Sequence, residues 1–116
     1  MGNYVKAAAA KDLPEGGKQR VKVEGQDIML VRVGEHYYAV AGRCPHLGGN
    51  LAAGQLDGTV ITCPLHGSRF DIRDGRVIRW TKGAGLMTAL SKVLRPARRL
   101  KVYNVRVDGG DILVEL

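Results

Sequence analysis

Apolar and polar residues alternate along most of this chain in short runs, punctuated by glycine-containing pairs. The stretch QRVKVEGQDIMLVRV predicts two strands joined at Glu24-Gly25, and VRVGEHYYAVAG predicts a second hairpin turning near Gly34-Glu35. GTVIT and RFDI are further short strand candidates. DIRDGRVI carries a hairpin signal at Asp74-Gly75, and KVYNVRVDGGDILVEL ends the chain around a turn at Gly109-Gly110. Period-two alternation bounded by Asp-Gly or Gly-Gly pairs is the pattern of antiparallel strands. About eight to ten such strands predict an all-β architecture, a small sandwich or barrel.

One segment breaks the period. In GAGLMTALSKVLRPARR, residues 83–99, Leu86, Leu90 and Leu94 recur every fourth position with Met87 and Val93 beside them. That spacing predicts a short helical insertion near residues 84–95, ended by Pro96. A helix this short is marginal alone and has to pack on something. It reads either as a lid over the core edge or as a docking or membrane-surface element. No internal repeat or linker stands out, although KAAAAK at 6–11 is locally biased.

With 116 residues the chain is read as one domain, 1–116, with a core small enough that a metal site would help its stability. No apolar run reaches membrane-spanning length, and the first residues lack the apolar stretch of a secretory signal, so the expected location is cytoplasmic. The formal net charge of +7 is unevenly placed. Between Asp74 and Asp108 there is no acidic residue but nine basic ones: Arg76, Arg79, Lys82, Lys92, Arg95, Arg98, Arg99, Lys101 and Arg106. The rest of the chain is close to neutral. A basic segment of this kind, 75–107, predicts docking onto an acidic partner surface. Nucleic acid is disfavoured, because the few aromatic residues are not interleaved with the cations as a stacking platform.

The chemistry is concentrated elsewhere. Both cysteines and two of the three histidines fall in two loops, RCPHLGGN at 43–50 and CPLHGSRF at 63–70. The spacing is Cys44-x-His46, sixteen residues, then Cys63-x-x-His66. Glycines follow each histidine, which lets the backbone close around a buried centre and aim N–H groups at it. A Cys44–Cys63 disulfide would leave the paired histidines unexplained. A tetrahedral zinc site is the first metal reading, but zinc fingers usually pair like ligands, whereas each loop here mixes them. The second is a [2Fe–2S] centre with two imidazoles on one iron and two thiolates on the other. His36, beside a turn and without a cysteine partner, reads as a solvated hairpin residue.

CPHLGGNL and CPLHGSRFD, with the strand-rich sequence before them, resemble the Rieske-type ferredoxins. The resemblance covers about residues 3–80 and again 101–116; the segment 81–99 is longer than the link expected in such ferredoxins. It implies an antiparallel β-sandwich with a small cluster-binding subdomain and one [2Fe–2S] cluster held by Cys44, His46, Cys63 and His66. It further implies a one-electron carrier between a flavoprotein reductase and a terminal oxygenase, not an enzyme in itself. Only His36 would then be spare, so a mononuclear iron site of two histidines and a carboxylate has no ligands here. The alternative is a small Rieske-fold subunit of a larger redox enzyme, such as an assimilatory nitrite reductase. The resemblance also implies that His46 and His66 present their second N–H at an exposed tip, collared by Pro45, Leu47, Pro64 and Leu65. Rieske proteins of the respiratory complexes carry an extra cysteine in each loop, at positions that are Gly49 and Leu65 here, and a tyrosine at the position of Phe70. Their absence implies a disulfide-free centre of lower potential, with Ser68 keeping a hydroxyl for a bridging sulfide. The protein is expected to be a monomer.

Overall fold

The computed structural model describes residues 3–45, 48–64, 67–79 and 99–116. Eleven strands are assigned among them: β1 (Tyr4–Ala9), β2 (Lys18–Val23), β3 (Gln26–Val33), β4 (His36–Ala41), β5 (Gln55–Asp57), β6 (Val60–Thr62), β7 (Arg69–Asp71), β8 (Val77–Arg79), β9 (Val102–Tyr103), β10 (Val105–Asp108) and β11 (Asp111–Glu115). Helical structure among the described residues is limited to two 3-10 turns, η1 (Ala10–Asp12) and η2 (Leu51–Ala53). The helical insertion expected near 84–95 lies outside the described residues.

All pairings are antiparallel and fall into three sheets: β1-β11-β10, β2-β3-β4-β9 and β5-β6-β7-β8. The turn signals in the sequence lie where the hairpins turn. Glu24 and Gly25 both take positive φ (48° and 81°), the left-handed pair that matches strand twist in a two-residue turn. Asn104 divides the C-terminal run between two sheets. β9 pairs with β4, whereas β10 pairs with β11, and the Glu115 N–H donates to the Asn104 carbonyl at the crossing point.

The β2-β3-β4-β9 sheet is the shared middle layer, because β3 is apolar on both sides. Ile28 and Leu30 of β3 pack with Leu13, Val23, Ala39, Ile112 and Val114 against the β1-β11-β10 sheet. Met29 and Val31 point the other way and join Val40, Leu51, Ile61, Phe70, Ile72 and Leu100. A strand with successive side chains on opposite faces can serve two cores only if its run is unbroken in hydrophobicity, which IMLV at 28–31 provides. All four of these residues are fully buried. At about 1.5–3 kcal/mol for each buried aliphatic side chain, β3 contributes substantially to holding the layers together.

The second core is also the cysteine core, since Cys44 and Cys63 pack within it. The sheet β5-β6-β7-β8 is stitched to the middle layer by residues 99–101. The Leu100 N–H donates to the Gly75 carbonyl at 2.9 Å, and the Ala41 N–H donates to the Lys101 carbonyl at 2.9 Å. A close approach at Gly54, just after η2, joins the two halves of this subdomain. A β-carbon there would stand 2.0 Å from the Thr62 carbonyl oxygen, in the peptide that leads into Cys63.

Gly54→Ala is therefore expected to force the two loop-bearing segments apart, at a cost of about 1–3 kcal/mol in stability. Chemical denaturation should read this as a lower midpoint. A Gly54→Ala variant as stable as the parent would show that the contact is slack.

Candidate metal centre

The two loops are closed by the same backbone scheme. In the first, the Cys44 N–H donates to the Gly49 carbonyl (2.8 Å) and the Gly48 N–H returns to the Cys44 carbonyl (2.8 Å). In the second, the Cys63 N–H donates to the Ser68 carbonyl (2.7 Å) and the Gly67 N–H returns to the Cys63 carbonyl (3.1 Å). Each turn is thus a six-residue loop on a cross-strand pair, Arg43↔Asn50 for one and Thr62↔Arg69 for the other. Gly48 and Gly67 hold equivalent places and the same φ, 75°, a value that an L side chain disfavours. The histidine offset differs between the loops by one residue, yet the closure does not.

This arrangement delivers one thiol from each loop to a common apolar setting. Cys44 and Cys63 are 3% and 2% exposed, and they are not joined in a disulfide. Ser68, the last residue of the second loop, is fully buried, and so is Phe70 two residues on. Two reduced, buried sulfur donors on independent loops fit a group held by thiolates. His46 and His66, with Leu47 and Leu65, lie outside the described residues; of the four expected ligands only Cys44 and Cys63 are described. His36 is an exposed residue at the start of β4, its ring 6.4 Å from that of Tyr38.

Two carboxylates that the sequence reading did not single out make ion pairs in this region. Asp27, on β3, accepts from Arg20 Nε at 2.6 Å and from Arg20 Nη2, and it also pairs with Arg43 Nε at 3.5 Å. The Arg20 bonds hold its carboxyl below the usual range, outweighing desolvation. Arg43 in turn donates from Nη1 to the Gly48 carbonyl at 3.0 Å, so the β2–β3 hairpin is wired to the first loop. Asp71, at the end of β7, has a side chain only 3% exposed. It accepts from Arg73 Nε (3.0 Å), Arg73 Nη2 (2.7 Å) and the Arg73 backbone N–H (3.0 Å), with Arg76 Nη2 at 3.8 Å. These contacts, the Arg73 side chain foremost, with help from the Thr59 hydroxyl, lower its pKa from 3.8 to about 2. Neither acid bears an obvious sequence signature, since an Asp-x-Arg triplet is common and Asp27 and Arg43 meet only through the fold.

Because the Asp71 pKa is depressed on folding, its contribution is complete above the unfolded value near 3.8 and is lost as pH falls toward about 2. The size is up to about 2 kcal/mol. Asp71→Asn should remove that contribution at neutral pH and flatten the loss of stability between pH 4 and pH 2, as followed by denaturant titrations across that range. An unchanged acid slope would assign it to other carboxylates.

Comparison with known proteins agrees with this geometry. A family model for the Rieske [2Fe-2S] domain matches residues 3–104. The ferredoxin component of the naphthalene 1,2-dioxygenase/salicylate 5-hydroxylase systems of a Ralstonia species is 36% identical over 114 residues, covering 98% of this chain and 96% of that protein. The biphenyl dioxygenase ferredoxin subunit of Pseudomonas sp. (strain KKS102) is 30% identical, covering 97% and 91%. Among solved structures, the ferredoxin of carbazole 1,9a-dioxygenase from Nocardioides aromaticivorans IC177 superposes with a TM-score of 0.78 at 31% identity, over 97% of this chain and 96% of that one. A chain from a complex of reduced oxygenase and oxidized ferredoxin in carbazole 1,9a-dioxygenase gives 0.76 at 30% identity, over 99% and 94%. With two hairpin loops that bury a thiol each, the expected antiparallel β fold and a match across most of its length, the chain belongs to the Rieske [2Fe-2S] domain family.

Proposed function

We propose that this chain, as a single domain over 1–116, is a one-electron carrier that takes electrons from a flavoprotein reductase and delivers them to a terminal oxygenase. The observation that carries the reading is the matched pair of loops, each burying one cysteine by the same backbone closure. The named relatives are ferredoxin components of dioxygenase systems, and one similar structure is a complex of an oxygenase with its ferredoxin. The protein is then a component of an oxidoreductase system and not itself an enzyme, working as a monomer in the cytoplasm. No helix among the described residues is long and apolar enough to cross a membrane.

In this reading Cys44, His46, Cys63 and His66 hold one [2Fe–2S] cluster. When bound, the cluster supplies a reversible one-electron couple. The chain's residues set where and how readily that couple works. Cys44 and Cys63 act as thiolates, and backbone N–H groups of the two glycine-rich loops offset their buried charge. His46 and His66 supply the imidazoles, and their second nitrogens are available to a partner. Buried Ser68 carries the side-chain hydroxyl next to the second loop, while Phe70 has none to offer and Gly49 and Leu65 form no bridge. Fewer donors to sulfur favour the reduced state less, which places the potential in the lower part of the Rieske range. The partner docks at the His46/His66 end, aided by the basic segment 75–107.

Freshly purified protein should show the low-average-g EPR signal of a reduced Rieske centre, with a midpoint below about +150 mV in a range of roughly −150 to +300 mV. Cys63→Ser should abolish both signal and iron. A colourless protein containing zinc would overturn the reading. Electron-transfer rates with the partner should fall steeply as salt rises from about 0.05 to 0.5 M, because contacts between exposed charges are screened over that range. Salt-independent rates would remove the docking role from 75–107.

A further inference from the structure

The first loop has a feature that the second lacks: its inner peptide is flanked by glycine on both sides. A peptide plane reorients through ψ of the residue before it and φ of the residue after it. At Gly48-Gly49 neither residue has a β-carbon to oppose such a rotation. At the equivalent place in the second loop the pair is Gly67-Ser68, where the serine restricts one of the two angles. The Gly48 carbonyl is instead held from outside, by Arg43 Nη1 at 3.0 Å. Arg43 is itself tethered through Nε to Asp27, which Arg20 grips with a two-pronged contact. The guanidinium therefore connects a fixed point on β3 to one loop carbonyl, although its side chain is 63% exposed.

Peptide planarity turns that hold into a statement about the other end of the same bond. In a trans peptide the N–H points opposite to the C=O. With the Gly48 carbonyl drawn toward Arg43, the Gly49 N–H is directed away from it, and among the described residues it meets no acceptor. The Gly49 carbonyl, by contrast, is occupied by the Cys44 N–H. A donor fixed in this way two bonds from the loop closure is what an electron-rich sulfur next to Cys44 would accept.

We propose that Arg43 is a positioning residue for the metal centre: by holding the Gly48 carbonyl, it keeps the Gly48–Gly49 peptide in the orientation that offers the Gly49 N–H to a sulfur of the bound cluster. The inference rests on the electron-carrier reading. A donor to sulfur stabilises the reduced state, because added negative charge strengthens that hydrogen bond. Loss of the hold therefore makes reduction harder. Charge alone would act in the same direction, so the test has to separate the two effects. Lysine keeps the charge but has a single nitrogen and cannot bridge the Gly48 carbonyl and Asp27 as the guanidinium fork does.

The experiment is a redox titration of purified, iron-loaded parent, Arg43→Ala and Arg43→Lys proteins in about 1 M KCl, where the Debye length is about 3 Å. EPR spectra of the reduced forms are recorded alongside. Both variants are expected to lower the reduction equilibrium constant about tenfold, which is about 59 mV for a one-electron couple, and to shift the g-values together. If Arg43→Ala fails to retain iron, the lysine variant decides alone. A lysine variant at the parent's potential shows that charge is sufficient and overturns the proposal, as do two variants that both titrate like the parent. A parent protein without a Rieske signal overturns the electron-carrier reading and this inference with it. A normal parent with unshifted variants overturns this inference only.

Discussion

Everything about this molecule depends on bringing two sulfur atoms from separate hairpins into one dry place. The backbone solves this locally and twice. Each cysteine N–H reaches the carbonyl five residues on, and the fifth residue of the loop, a glycine at positive φ, donates back to the cysteine carbonyl. The cysteine is thereby locked at the root of its loop, one residue inside the last cross-strand pair, and its position is set by sheet geometry. The histidines occupy different places within the two loops, and the closure tolerates that because it uses only main-chain groups outside them. A site assembled this way has its sulfur atoms buried, at the end that excludes water.

The rest of the fold serves to keep the two roots in register. β3 supplies apolar side chains to both of its faces, so the outer sheet and the loop-bearing sheet share one support. Where the loop-bearing sheet meets that support, contacts are made backbone to backbone. Gly54 lies against the Thr62 carbonyl, Leu100 bonds to Gly75, and Ala41 bonds to Lys101. Such contacts cannot adjust by changing a rotamer, and a displacement at any of them travels along the main chain to a cysteine.

Much of this was legible in the sequence, and the parts that were not share a cause. The hairpins at Glu24-Gly25, Gly34-Glu35, Asp74-Gly75 and Gly109-Gly110 were readable because turn chemistry is local. The loops were readable because a mixed Cys/His pair repeated at a fixed interval has few uses. β1 was not read: YVKAAA is alanine-rich and carries little strand preference, and it becomes a strand by pairing with β11 at the opposite end of the chain. The split of the C-terminal run at Asn104 escaped for the same reason, as it depends on which sheet is nearby. So did Asp27, whose partner at the first loop stands sixteen positions along the chain and is met only after β3 and β4 have paired. The expected helix near 84–95 and the two histidines lie outside the described residues, so their part of the reading still stands on the sequence.

Folding also changes the meaning of the charge count. By sequence, the acid-free segment alone accounts for the excess of cations, and the remainder is near neutral. In the folded chain Asp71 is withdrawn almost completely from solvent, with Arg73 and Arg76 on it, and Asp27 is largely enclosed between Arg20 and Arg43. Each of these acids satisfies itself inside and leaves its arginines partly at the surface: the side chains of Arg43, Arg73 and Arg76 are each more than half exposed. The acids that balance these cations hold the architecture, while the guanidinium groups remain partly in solvent.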